Sequence, residues 1–365
     1  MDRLMIWWAV WLICSGAFHD SGVALWRFGD AYTYLGTYFL FRVFLHDLED
    51  IRNLLKMACL VMLPLAAGML MEKMSGTNYM AALFGESSDV SFRNGHYRAR
   101  GPYSNAILAG TAGAIWLPLA FHYWRENRTI ALLGIAATGT IVLCSGASGP
   151  FMTAFAGLAA MALWRYRFHL SMIRRVALGV AVILNFVMSR PVYFLVARID
   201  IGGGSTGWYR AILIQGALEH LNEWWLVGTD ATSHWVPEGT SGVVGQADIT
   251  NEFILMGVQG GLPLMFLFIA VLVMAFRAVG RALNRCQDAP LSVQLLIWTM
   301  GSVLFAHTVT FWSVAYFEPS LVLFFFVLVA ALGSLDSAVA AAAAVPQSED
   351  PPPSIPASGS LFSHG

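Results

Sequence analysis

Runs of about twenty apolar residues recur along this chain, and they constrain it more than any other feature. FILMGVQGGLPLMFLFIAVLVMAF (253–276) is one of them and carries no charged residue. A helix of roughly 20 residues crosses the ~30 Å hydrocarbon core of a bilayer and satisfies its own backbone there. The alternating pattern of a membrane β-barrel is absent. The sequence therefore reads as an all-α, polytopic integral membrane protein with about ten transmembrane helices. They are expected near 4–18, 31–45, 54–71, 104–124, 129–146, 149–165, 173–189, 252–276, 291–315 and 318–335. Charged residues make up 12% of the chain and mean hydropathy is +0.63, whereas a soluble domain is about 25% charged. A net charge of −1 argues against a nucleic-acid partner, so local charge placement carries the information.

The N-terminus, MDRLMIWWAVWLICSGAFHD, has the charged start and apolar centre of a signal peptide. Its tryptophans and the helices that follow favour a retained first span. Cys14, Cys59, Cys144 and Cys286 lie in or beside apolar spans without metal-ligand spacing, and read as small buried residues. Residues 1–336 are expected to form one membrane domain. From Ser337 the chain is Ala-rich and then Pro-rich, and 337–365 is expected to be a disordered cytoplasmic tail.

Basic residues set the expected orientation. Arg125 and Arg128, the run Arg165, Arg167, Arg174 and Arg175, and the run Arg277, Arg281 and Arg285 all fall on one side of a ten-span count. Arg3, Arg52 and Lys56 join them. By the positive-inside rule that side is the cytoplasm, with both termini. Two long loops, about 72–103 and 190–251, then face outward and break the bias. The first carries Lys73, Arg93, Arg98 and Arg100; the second carries Arg190, Arg198 and Arg210. Long loops translocate regardless of charge, which accounts for single arginines better than for the cluster FRNGHYRARGPYSN (92–105). Within the second loop an amphipathic helix is expected over about 207–226. Trp208, Ile212, Leu213, Leu218, Leu221 and Trp225 supply its apolar face. Such a helix lies at the outer interface and offers Arg210 to a cavity.

Arginine binds phosphate through forked, charge-assisted hydrogen bonds. Lys56 and Lys73 are the lysines here, and the other 19 of the 21 basic residues are arginine. External arginines just above the lipid suit a lipid-linked diphosphate, which makes Arg93, Arg98, Arg100 and Arg210 candidate contacts. A second polar island, 227–253, holds Asp230, His234, Glu238, Asp248, Asn251 and Glu252. His234 reads either as a general base or as a solvated loop histidine. Asp248 and Glu252 stand one turn apart at a helix entry, where they serve chemistry or compensate the helix dipole. No metal-ligand spacing, GxSxG or P-loop occurs, and GGG at 202–204 reads as a flexible hinge in preference to a weak phosphate-binding signal. His307 and Glu318, near the outer ends of the last two spans, are groups a proton-coupled transporter would use. The internal repeat and discontinuous helices of such a transporter are not evident in the sequence.

RARGPYSNAILAGT (98–111), CSGASGPFMTAFAGL (144–158), STGWYRAILIQGALEHLNEWWLVGT (205–229) and DITNEFILMGVQGGL (248–262) together resemble the O-antigen ligase and O-antigen polymerase superfamily of bacterial membrane glycosyltransferases. The resemblance covers about 90–275. It rests on R-x-x-G before a span, an arginine in the outer amphipathic helix, and a polar-Asn entry into a glycine-rich span. It implies transfer of a glycan from an undecaprenyl-diphosphate carrier at the periplasmic face of the inner membrane. The acceptor would be lipid A core, another glycan repeat or protein, in O-antigen, lipopolysaccharide or exopolysaccharide biosynthesis. Neither cofactor nor metal is implied. Arginines would hold the diphosphate, Asn251 would position the acceptor, and the catalytic base would come from His234, Asp248 or Glu252. Thr250 stands where ligases carry His, and Ser104–Asn105 where His–Pro or Asn–Pro is common. The competing expectations are a non-enzymatic transporter or flippase for the same glycan, and an accessory subunit of a polysaccharide-export complex.

Overall fold

The computed structural model describes residues 1–93, 95–188, 191–194, 207–237, 246–317 and 319–344. In chain order its helices are α1 (Asp2–Gly16), α2 (Ser21–Phe44), α3 (Leu48–Ser75), α4 (Tyr79–Leu83), α5 (Ala106–His122), α6 (Arg128–Ser145), α7 (Ser148–Ala162), α8 (Leu170–Val187), α9 (Gly207–Glu219), α10 (Leu221–Trp224), α11 (Glu252–Arg285), α12 (Leu291–Thr310) and α13 (Pro319–Ala344). An antiparallel hairpin joins β1 (Ser91–Arg93) to β2 (His96–Arg98). The chain is an all-α membrane protein. Among the described residues, α3, α6, α11, α12 and the Pro319–Ala340 part of α13 are 5 helices long and apolar enough to cross a bilayer. Helix α5 is equally apolar but has only 17 residues. Each other segment expected to span also contains a helix.

Two boundaries differ from expectation for local reasons. Helix α2 starts at Ser21 rather than near 31, because nothing in SGVALWRFGD breaks a helix and Asp20 precedes it in extended conformation. Helix α13 continues through Ala344, well into the stretch expected to be disordered. Alanine is the strongest helix former, and SAVAAAAA contains no stop signal. Residues 345–365 lie outside the described residues.

Helix α5 forms the hub. It is buried on nearly every face and packs against α3, α6, α7 and α12. Small residues let these backbones approach, as they do between helices in lipid. A Cβ added at Gly113 would sit 2.7 Å from Ile141, and one at Gly157 would sit 2.6 Å from Pro118. Leu25, Trp26 and Tyr32 on α2 and Leu178, Ile183 and Phe186 on α8 are exposed, an apolar outer surface of the kind a bilayer solvates.

The bundle has two chemically different ends. At one, Arg42 pairs with Asp2 at 3.1 Å and donates to Ser334 at 2.6 Å. Arg281 and Arg285 share Asp336, and Arg52 lies 3.6 Å from Glu126. The other, the cap end, gathers the C-termini of α3, α6 and α12, the N-termini of α5, α7, α11 and α13, the hairpin, and α9 with α10. Lys73 Nζ donates to Leu143 O there at 3.0 Å, and Thr153 and Thr310 join α7 to α12 at 2.7 Å.

Helix α11 is broken near the cap end. Gly260 (φ −156°, ψ 22°) and Gly261 (φ 74°, ψ −175°) leave helical geometry. A discontinuous helix was not evident in the sequence, yet GGLP (260–263) encodes one: two flexible residues and a proline that lacks its donor. The freed backbone groups bond within the protein. Thr229 N donates to Val258 O at 3.0 Å and Leu262 N to Trp225 O at 2.8 Å. Ser15 Oγ donates to Gln259 O at 3.3 Å, and Trp11 Nε1 to Gly260 O at 2.7 Å. The break is a dock for the cap, and these four groups are satisfied by protein.

Candidate functional site

Residues 91–93 and 96–98 form the strands of the hairpin. Asn-Gly between two short strands is the strongest two-residue turn signal, and Gly95 has φ 79°. The register pairs Ser91 with Arg98, Phe92 with Tyr97 and Arg93 with His96. Arg93 and Arg98 are therefore diagonal neighbours on one face, while Phe92 and Tyr97 meet on the other, their rings 5.1 Å apart. Ala99 N donates to Cys144 O at 3.0 Å, and Arg98 Nε donates to Ser145 O at 3.2 Å. Burial, and then the nearby positive charge of Arg93, pull the pKa of Arg98 below its ordinary value. Arg100 is used differently. Its N–H and that of Gly101 bond the Glu72 carboxylate at 2.9 and 2.7 Å. Its guanidinium donates to Tyr103 O at 3.0 Å and Ser87 O at 2.8 Å, with Glu86 at 3.6 Å. Arg100 shapes the loop that presents Arg98.

The segment expected as one amphipathic helix over 207–226 turns at His220 into α9 and α10, and its inward face carries Arg210. Arg210, Leu213, Ile214 and Ala217 are buried, one stripe at helical spacing. Trp208, Leu218 and Trp225 are exposed. The reason is Gly216, whose missing Cβ would lie 2.3 Å from Trp235 O; only that face admits the Trp235 backbone. Trp224, Trp235, Val236, Ala247 and Ile254 complete a separate hydrophobic core beneath the cap.

Arg210 is thus carried into an apolar setting, 7% exposed. Its Nε has no hydrogen-bond partner among the described residues. Burial pulls its pKa down, and the charge of Asp248 pulls it back up. Asp248 is open to solvent on one side and crowded by protein on the other. That crowding raises its carboxyl pKa, and Arg210 lowers it. Tyr209 Oη donates to Asp248 O at 3.1 Å and holds the two strands of chain together.

Asn251 and Glu252 are engaged by the fold. Asn251 Oδ1 caps α11 by accepting from Ile254 N at 3.1 Å, and its Nδ2 donates to Trp312 O at 3.1 Å. Glu252 N donates to Phe311 O at 2.9 Å. The Glu252 carboxylate, 4% exposed, accepts from Tyr316 N at 2.6 Å. Both residues clasp the α12–α13 turn, which leaves Asp248 the more accessible candidate base. Asn251→Ala removes a cap and a tether, and is expected to cost about 1–3 kcal/mol. Asn251→Asp keeps the cap acceptor but loses the donor to Trp312, and should fall between. Thermal unfolding in detergent checks the order.

His234 belongs to another cluster. Its Nε2 lies 2.9 Å from one Glu223 carboxylate oxygen and 3.1 Å from the other. His220 Nδ1 lies 2.8 Å from Glu223, and Trp235 Nε1 donates to the same carboxylate at 3.3 Å. Asp230, also in the expected polar island, anchors the cap to the α1–α2 turn, 2.7 Å from His19 Nδ1 and 3.9 Å from Arg27. His307 is fully buried, with Nδ1 2.9 Å from Tyr316 Oη and its ring among Phe311 and Phe325. Glu238, Glu318, Arg190, Arg198 and the GGG at 202–204 lie outside the described residues.

Among the described residues no bond joins Arg98 directly to Arg210. Between them stand the α6–α7 turn, which holds Arg98, and the α12–α13 turn, which holds Asn251. The turns adjoin, since a Cβ on Gly149 would lie 3.7 Å from Val314. No protein-family model matches this chain, and no curated protein matches it either.

Proposed function

We propose that the chain is a metal-independent glycosyltransferase of the O-antigen ligase or polymerase type. It takes a glycan from undecaprenyl diphosphate and joins it to lipid A core, a glycan repeat or protein. In this reading the protein crosses the bacterial inner membrane ten times, both termini are cytoplasmic, and the cap end is periplasmic. The observation that carries the reading is Arg210, a buried guanidinium beside Asp248 whose Nε has no hydrogen-bond partner among the described residues. A buried, incompletely bonded cation costs stability and suits an anionic ligand that completes it. The Arg93 and Arg98 pair stands at the same end of the bundle and gives a second cationic surface.

The chemistry follows from those charges. An acceptor hydroxyl attacks the anomeric carbon as the bond to the diphosphate oxygen breaks. Negative charge grows on the leaving diphosphate, where Arg210 and Arg98 stabilise it. Asp248 takes the hydroxyl proton, a task its raised pKa favours.

The test uses purified protein in vesicles containing a glycan on undecaprenyl diphosphate. Free undecaprenyl diphosphate together with an extended or transferred glycan supports the reading. Movement of the intact carrier between leaflets without release would make the protein a transporter. The break in α11 is the feature that favours the transporter, but four of the backbone groups it frees are bonded by protein. Arg98→Ala is expected to slow transfer roughly 10- to 100-fold, since one charge-stabilising donor contributes about that much or more. An accessory subunit would lose Arg93, Arg98 and Arg210 together without loss of product.

A further inference from the structure

The cap carries a second cluster that the proposed transfer reaction does not require. His220 Nδ1, a Glu223 carboxylate oxygen and His234 Nε2 lie within 4.8 Å of one another. The sequence shows no metal-ligand spacing because the third member arrives from the far side of a turn. His220 stands between α9 and α10, Glu223 follows three residues later in α10, and His234 sits on the short helix Ser233–Trp235. The shared core of Trp224, Trp235 and Val236 fixes these pieces against each other.

We propose that His220, Glu223 and His234 bind one divalent transition-metal ion of the zinc class. Two imidazoles and a carboxylate are the donors of three-ligand zinc sites that leave a fourth position open. Donor atoms about 2.0–2.1 Å from such an ion stand roughly 3.3 Å apart in a tetrahedron. The His–Glu separations of 2.8 and 2.9 Å approach that spacing, so a small outward movement of the rings seats the ion. The hydrogens now directed at Glu223 must leave His220 Nδ1 and His234 Nε2. Each ring has a second nitrogen to carry the remaining proton, so both can bind as neutral imidazole. Trp235 contributes twice: its Nε1 hydrogen-bonds the Glu223 carboxylate, and its ring lies nearly parallel to His220. Supporting contacts of this kind orient metal ligands. The three side chains are between 31% and 44% exposed, so a hydrated ion reaches them. The ion would pin α9 and α10 to the Ser233–Trp235 segment, and so steady the cap that buries Arg210.

The site stands independently of the glycosyltransferase reading, and its test reads binding rather than transfer. Full-length protein without a polyhistidine tag is stripped with chelator in detergent and titrated with Zn2+. One equivalent is expected per chain, with affinity at least 100-fold weaker in His220→Ala and His234→Ala and at least 10-fold weaker in Glu223→Gln. His96→Ala, on the exposed hairpin, should bind as the parent does. Co2+ bound to the unmutated chain should give the visible bands of a four-coordinate site, a readout that needs no variant to fold. Stoichiometric binding unchanged in the His220→Ala, His234→Ala double variant would overturn the assignment. So would the absence of saturable binding by the parent chain.

Discussion

Arg210→Met is expected to abolish glycan transfer, lowering the rate by about 100- to 1,000-fold, while leaving the protein as stable as before or slightly more so. The two halves of that expectation have one cause. Arg210 sits on the inward face of α9 with Leu213, Ile214 and Ala217, its Nε without a partner among the described residues. Methionine fills the same space without a desolvated charge, and replacing buried ionic groups by apolar ones of similar volume is often neutral or stabilising. A residue that merely held the cap together would behave oppositely, with stability and activity lost in parallel. Transfer at the parental rate by a folded Arg210→Met protein would remove Arg210 from the mechanism. A marked fall in thermal midpoint would return it to a structural role.

The same substitution shifts the pH profile. Crowding by protein raises the Asp248 carboxyl pKa and Arg210 lowers it, so removing Arg210 leaves only the upward push. A base must be deprotonated to act, and its rate falls as pH drops through its pKa. The acidic limb of the residual activity should therefore move to higher pH. Stability responds with the opposite sense. A carboxyl whose pKa is raised in the folded state favours folding below its unfolded value, and loses that contribution as pH rises through the folded value.

The helices were legible because an apolar run of span length admits little else in lipid. The cap-end arginines were legible because, on a ten-span count, they depart from the expected charge bias. Three features of the site were not, and each was hidden by a contact distant in sequence. The inward face of α9 follows from Gly216 meeting Trp235 O. Ranking Trp208 and Leu218 by hydrophobicity could not supply that, since a membrane protein exposes apolar residues freely. Asn251 was expected to position an acceptor, and its capping bond to Ile254 N and its tether to Trp312 O emerge only in the fold. The His220, Glu223 and His234 cluster shows only H-x-x-E on a helix, with the third donor beyond a turn. The hairpin differs, because Asn94–Gly95 announces it. Its register is what puts Arg93 and Arg98 on one face.

Gly261→Ala is expected to cost about 3–5 kcal/mol, the range that clashes and special backbone conformations produce, whereas Gly280→Ala in the same helix should be neutral or stabilising by up to about 1 kcal/mol. At Gly280 an added Cβ meets nothing within 4 Å and removes only glycine's excess freedom in the unfolded chain. At Gly261 the backbone holds φ 74° and ψ −175°, a region essentially closed to residues with a Cβ. The added atom would also lie 2.1 Å from Leu226 O and 2.3 Å from Leu226 C. Both are backbone atoms with no rotamer to yield, so the 225–226 strand must move away. That movement breaks the Leu262 N to Trp225 O bond at 2.8 Å and undocks the cap from α11. Thermal unfolding in detergent should show a midpoint lower by at least about 5 °C for Gly261→Ala. Limited proteolysis should cut first within 226–237, ahead of the bundle, because the cap core is separate from the main one. Equal midpoints for the two variants would mean that the break in α11 is not what holds the cap. Loss of both transfer and zinc binding in Gly261→Ala, with the bundle still folded, would place the break upstream of both sites.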